Sequence, residues 1–145
     1  MNFSTKTRYG LRLMVYLADN HKKGNIQLKE ISLNEEISEK YLSQIVIPLK
    51  NAGFITSKRG SNGGYSLTVS PDKINLKQII EIFEGSLYPT DCAVDQSKCN
   101  KSTKCSTILV WKKIGDVLSQ TLENITLEEI VKDFNKNKKV INYSI

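Results

Sequence analysis

The chain has 145 residues and a mass of 16.4 kDa, room for one domain, with or without a helical appendage, but not for a large multidomain enzyme. With 39% apolar and 25% charged residues, three Pro and eight Gly, its composition excludes collagen-like and wholly disordered chains. Lys and Arg outnumber Asp and Glu by 21 to 15, and most of the excess precedes Thr68, a distribution suited to a polyanion-binding front half and a nearly neutral back half.

Ser4 is placed to cap a helix in which Tyr9, Leu13, Met14, Tyr16, Leu17 and Ala18 recur at helical spacing, ending near Asn20 and Gly24. Leu28 and Ile31 mark a short second helix that stops in the polar stretch Asn34 to Glu36. Ser38 starts a third, carrying Tyr41, Leu42, Ile45, Val46 and Leu49 before Asn51-Ala52-Gly53 ends it. Pro48 inside this pattern removes one helical amide and is expected to bend or loosen the last turn.

Beta-forming residues from Phe54 to Arg59 and from Tyr65 to Val69 flank Gly60-Ser61-Asn62-Gly63-Gly64, the pattern of a two-stranded ribbon with a glycine-rich tip. Two helices joined by a tight turn and followed by such a ribbon describe a winged helix-turn-helix. Asn75 then caps a helix with Leu76, Ile79, Ile80 and Phe83, and periodicity disappears from Glu84 to Lys104. Ile108, Trp111, Gly115, Leu118, Leu122 and Ile125 form the heptad-like seam of a long packed or paired helix. Thr126 with Glu129 makes a capping box for a last helix, bearing Leu127, Ile130 and Val131, ahead of a lysine-rich tail.

The expected fold is mainly α with a small two-stranded β-wing. Residues 1–70 form the winged helix-turn-helix, and residues 71–145 a helical dimerisation region with a cysteine loop at 91–106. No apolar run approaches the roughly 20 residues of a membrane helix, and Met1 to Arg12 lacks a signal-peptide core, so the expected location is cytoplasmic with no membrane partner.

On a recognition helix whose buried stripe is Leu42, Ile45, Val46 and Leu49, the residues left for the groove are Lys40, Ser43 and Gln44, with Tyr41 on the phosphate flank. Gln44 is the strongest base reader, because its amide both donates and accepts at an adenine edge. In the ribbon, Lys58 supplies charge, Arg59 suits the negative potential of a narrow minor groove, and glycine permits close backbone approach. The full set expected to meet DNA is Ser38, Lys40, Tyr41, Ser43, Gln44, Lys58, Arg59, Gly60, Gly63, Gly64 and Tyr65. The plain alternative is a solvated polar helix and an exposed hairpin.

Cys92, Cys99 and Cys105 read C-x6-C-x5-C, with Lys98, Lys101 and Lys104 nearby to lower thiol pKa values. Structural zinc sites commonly pair their cysteines as C-x2-C; iron-sulfur clusters also use thiolates. Three reduced thiols or a regulatory disulfide are the alternatives. His21, the sole histidine, is far in sequence from every cysteine, and neither a nucleophile triad nor a Walker loop is present, so no enzyme is expected.

From Ser4 to Val131 the chain resembles the Rrf-two family of bacterial winged-helix regulators. The resemblance lies in Ser4-Thr5-Lys6-Thr7-Arg8-Tyr9-Gly10, Ile37-Ser38-Glu39-Lys40-Tyr41-Leu42, Leu49-Lys50-Asn51-Ala52-Gly53, Arg59-Gly60-Ser61-Asn62-Gly63-Gly64-Tyr65 and Asn124-Ile125-Thr126-Leu127-Glu128-Glu129-Ile130. It implies a homodimer paired through the long helix, bound to a palindromic double-stranded operator and acting as a repressor. Cys92, Cys99 and Cys105 match the three cluster-ligating cysteines of the family's iron-sulfur-sensing branch, which implies an iron-sulfur cluster, of 2Fe-2S rather than 4Fe-4S type. That branch has five residues in each gap and a histidine three positions after the last cysteine; this chain has six in the first gap and Ile108 at that position. The fourth ligand therefore stays open among Asp91, Asp95, Ser106, Thr107 and an added thiol. Where that branch carries glutamate in the recognition helix, this chain has Ser43. Relatives that regulate cysteine metabolism imply the alternative: a regulator controlled by thiol redox state or by a metabolic-enzyme partner, without a cluster.

Overall fold

The computed structural model of the chain describes residues 2–143, leaving Met1 and the last two residues of the expected tail outside the described part. Its helices are α1 (Thr5–Asp19), α2 (Leu28–Glu35), α3 (Glu39–Asn51), α4 (Leu76–Glu84), a short α5 (Asp91–Val94), α6 (Ile108–Glu123) and α7 (Leu127–Tyr143). One antiparallel pair, β1 (Ile55–Lys58) and β2 (Gly64–Leu67), completes the winged-helix architecture.

The helix starts follow local chemistry. Ser4 and Ser38 accept from the amides of Thr7 and Tyr41, each at 3.2 Å, while Asn75 with Gln78 and Thr126 with Glu129 form reciprocal capping boxes. Each bond satisfies an amide that the first helical turn leaves unpaired. Glu36, with φ of 55°, turns the chain out of α2 in a left-handed conformation, and α3 begins three residues later. Helix α3 continues through Pro48, whose carbonyl accepts from the Ala52 amide.

Leu13, Met14 and Leu17 of α1 form the centre of the core, joined by Ile31, Leu42, Ile45, Leu49, Ile55, Ile74 and Ile79. Helix α7 returns to this front-half core: Leu127 is fully buried in it, and Ile130 and Val131 pack against it. Backbone bonds from Leu76 N to Ile125 O (2.8 Å) and from Leu127 N to Ile74 O (3.0 Å) fix where it enters. The lysine-rich segment expected to trail off is helical as far as Tyr143. Lysine is a good helix former, Asn135 bonds Asp19 at 2.9 Å, and the Lys138 ammonium sits 4.2 Å from the Phe134 ring centre.

The expected seam of α6 is its covered face: Gly115 and Leu122 are buried together with Ser119, Leu118 joins a small cluster of Ile80, Leu87 and Leu122, and Ile108, Trp111 and Ile125 are half-buried. A Cβ at Gly115 would overlap the Tyr88 ring, whose hydroxyl donates to Asp116 at 2.5 Å. The side left uncovered carries Val110, Ile114 and Val117, at positions that align on a 3.6-residue turn.

Candidate nucleic-acid interface and cysteine loop

Helix α3 buries Leu42, Ile45, Val46 and Leu49 against the core and leaves Lys40, Ser43, Gln44 and Ile47 exposed. The exposed Gln44 side-chain amide makes no hydrogen bond among the described residues and is available to a ligand. Two hydroxyls in the expected set are engaged: Ser38 caps the helix, and Ser43 donates to the Lys40 carbonyl at 2.6 Å. The Tyr41 ring, half-buried, meets Tyr9 edge-on at 5.7 Å, and the Arg12 guanidinium lies 5.6 Å from the Tyr9 ring centre.

The wing pairs Ile55 with Leu67 and Lys58 with Gly64, which leaves Arg59 to Gly63 as its tip. Ile26 bridges to Tyr65 through bonds of 2.9 and 2.8 Å, adding a third chain segment to the ribbon's base. Gly64, with φ of 138°, would place a Cβ 2.5 Å from the Ile26 carbonyl, so glycine there serves the wing's own packing. Lys58, Arg59 and Gly60 are exposed, whereas Gly63 is buried and Tyr65 half-buried. The Lys50 ammonium donates to the Ser57 hydroxyl at 2.5 Å and ties α3 to β1. Lys50, Lys58 and Arg59, with Gln27 and Leu28 at the start of α2, line an open groove of about 450 Å³. Cations beside a helix N-terminus form a favourable seat for a phosphate.

Sequence reasoning missed Lys50 and Ile47. The first was hidden beside the Asn51-Ala52-Gly53 stop, and the second is an apolar residue on a polar face, 57% exposed.

The expected irregular cysteine loop folds as α5 followed by two 3-10 turns, Gln96–Lys98 and Ser102–Lys104. Buried Ser102 donates to the Gln96 carbonyl at 2.8 Å and holds the turns together. All three cysteines are half-buried free thiols. Cys92 donates to the Thr90 hydroxyl at 3.3 Å, while Cys105 lies 3.4 Å from the Thr107 hydroxyl. That hydroxyl, followed by the Thr107 and Ile108 backbone at the start of α6, holds the Cys105 thiol below its ordinary pKa. The cause differs from the neighbouring lysines expected from sequence. Asp95 is occupied in capping, accepting from the Ser97 amide and hydroxyl at 3.0 and 2.7 Å.

Three thiols are the right donors for iron and sulfide, but among the described residues no three Cys, His, Asp or Glu side chains stand together as a metal-holding group. As folded, the loop does not present the ligand set of a cluster. No helix among the described residues is long and apolar enough to cross a membrane.

Known proteins agree with the winged-helix geometry. The Bacillus subtilis regulator CymR is 38% identical over 130 residues, covering 90% of this chain and 89% of the relative. The solved structure of CymR, the global cysteine regulator of B. subtilis, superposes with a TM-score of 0.75 at 37% identity, covering 91% of this chain and 97% of the other. The T. potens IscR structure gives 0.71 at 35% identity, covering 92% and 88%. The model of the Rrf2 family, described as "Iron-dependent Transcriptional regulator", matches residues 3–133. The chain thus belongs to the Rrf2 family: it is a DNA-binding, winged-helix transcriptional regulator and not an enzyme.

Proposed function

We propose that the protein is a homodimeric repressor in which residues 1–70 bind a palindromic operator and residues 71–145 pair the subunits and receive the signal. The supporting observation is that α3 exposes Lys40, Ser43 and Gln44 and is tied at its other end, through Lys50 and Ser57, to a wing whose Lys58 and Arg59 are also exposed. Gln44 reads base edges in the major groove, Arg59 enters the flanking minor groove, and Lys40, Lys58 and Tyr41 border the phosphates. Ser38 and Ser43 contribute mainly by ordering the helix, and Gly60, Gly63, Gly64 and Tyr65 by shaping the wing.

The uncovered Val110, Ile114 and Val117 stripe of α6 meets its copy across a two-fold axis. Half-sites then lie one helical turn, about 34 Å, or a multiple of it apart. Footprinting on an operator enriched from random duplex, combined with light scattering, tests this reading. Protection of two symmetric half-sites by a dimer is expected, and protection of one asymmetric site by a monomer refutes it. Val117→Asp gives monomers that bind weakly.

For the signal, Cys92, Cys99 and Cys105 hold an iron-sulfur cluster, of 2Fe-2S rather than 4Fe-4S type, a reading supported by three thiols on one loop and by the family's iron-dependent description. It requires the loop to refold around the metal. The separated thiols and the lowered Cys105 pKa favour a second reading, in which thiol oxidation or an enzyme partner sets DNA binding without a metal. Anaerobic purification with iron, sulfide and Mössbauer measurements separates them. Stoichiometric iron lost in the triple Cys→Ala variant supports the cluster. Iron-free protein whose DNA affinity follows oxidation, or a co-purified enzyme, supports the second.

A further inference from the structure

Ile47 lies one turn beyond Ser43 and Gln44 on α3, opposite the buried Leu42, Ile45, Val46 and Leu49. Lone exposed apolar residues are ordinary on protein surfaces; the location of this one is informative. It is the large apolar side chain on a face otherwise formed by Lys40, Ser43, Gln44 and Lys50, and it is 57% exposed. A single side chain ringed by polar groups is too small to dock a protein, which needs a continuous apolar patch. It matches one small apolar group. At the edge of the major groove that group is the C5 methyl of thymine.

The Ser43 hydroxyl proton is already committed to the Lys40 carbonyl, so Ser43 is a poor donor to a base. Ile47 stands about 4.5 Å farther along the helix axis than Gln44, comparable with the spacing of about 3.4 Å between successive base pairs.

Building on the reading of α3 as the recognition helix, we infer that Ile47 is a specificity-determining residue that packs on a thymine methyl, one or two steps from the adenine read by Gln44. Gln44 supplies hydrogen bonds, while Ile47 supplies an apolar contact and excludes cytosine, which has no methyl at that edge. The two side chains together specify a short A/T element in each half-site.

The test uses the full chain and duplexes that it enriches from a random-sequence pool. Each thymine of the enriched half-site is replaced in turn by uracil, which deletes the methyl and leaves the hydrogen-bonding edge intact. One thymine per half-site is expected to respond, with wild-type affinity falling about four-fold per half-site, the equivalent of roughly 0.8 kcal/mol for one buried methyl group. Ile47→Ala is expected to bind the thymine and uracil duplexes equally, while Ile47→Val, which keeps methyl groups at that place, still discriminates.

Wild-type indifference to uracil at every position overturns the inference, as does full discrimination by Ile47→Ala. Gln44→Ala, run alongside, separates the two levels of the argument. If it relaxes base preference while uracil has no effect on wild type, the role of Ile47 alone fails. If neither variant changes sequence preference, α3 is not the reading helix and both conclusions fail.

Discussion

Ser38 offers a way to separate the order of the recognition helix from its charge toward DNA. Its hydroxyl accepts the Tyr41 amide at 3.2 Å, and its side chain contributes no other hydrogen bond among the described residues. Ser38→Ala removes the cap and costs about 1 kcal/mol, within the usual range of roughly 0.5–2. For a chain of this length that lowers Tm by about 3 °C. Ser38→Asp keeps an acceptor at the cap and adds negative charge at the helix N-terminus, so its Tm equals or exceeds that of wild type. Facing phosphates, the same carboxylate is unfavourable by about 1 kcal/mol per half-site at contact range in water, roughly five-fold in affinity and thirty-fold for two half-sites. Thermal melts and fluorescence-anisotropy titrations should therefore rank the variants in opposite orders, with the Asp penalty shrinking at high salt. Parallel losses of stability and affinity in both variants would refute the separation, and undiminished binding by Ser38→Asp would remove this helix end from the DNA surface.

Gln44→Ala should relax base preference by roughly 1–3 kcal/mol at one position per half-site; equal losses on specific and random duplex would discount it as a base reader. Arg59→Ala should weaken binding to operators with A/T-rich flanks more than to those with G/C-rich flanks, as measured by competition titration. Gly64→Ala places a Cβ 2.5 Å from the Ile26 carbonyl at a φ of 138°, and should destabilise by about 1–3 kcal/mol in a denaturant melt; an unchanged midpoint would show that the wing base adapts. Thr7, and then the Ser4 backbone, hold the Glu84 carboxyl below its ordinary pKa. A depressed folded-state pKa contributes stability above the unfolded value of about 4.3 and loses it as pH falls through the folded value. Melts from neutral pH down to about pH 3 should therefore show a steeper acid loss for wild type than for Glu84→Gln.

The features legible in sequence were those governed by neighbouring residues. Ser4, Ser38, Asn75 and Thr126 each make the expected capping bond, and the Asn-Gly-containing tip closes the hairpin where expected. The inward stripe of α6 was legible as its seam, but the Tyr88 ring that covers Gly115 comes from far off in sequence, and the second, outward stripe of Val110, Ile114 and Val117 was not read. Cysteine spacing put three thiols on one loop but did not fix whether they converge, because the two 3-10 turns set the backbone path between them. Ile47 falls outside the buried stripe read from sequence, but groove residues were sought only among polar side chains, which passed over an exposed isoleucine.

The seating of Leu127, Ile130 and Val131 against the front-half core bears on how the protein is made. Translation delivers the recognition helix and wing early, yet a principal apolar surface of α1 stays uncovered until α7 has been synthesised. Contacts between segments so distant in the chain form late and leave unfinished intermediates exposed. A polypeptide terminated before residue 127 would carry every side chain proposed to face DNA on an incomplete core. On that proposed reading, operator occupancy is coupled to completion of the chain, and a truncated regulator is exposed to proteolysis as an unfinished fold.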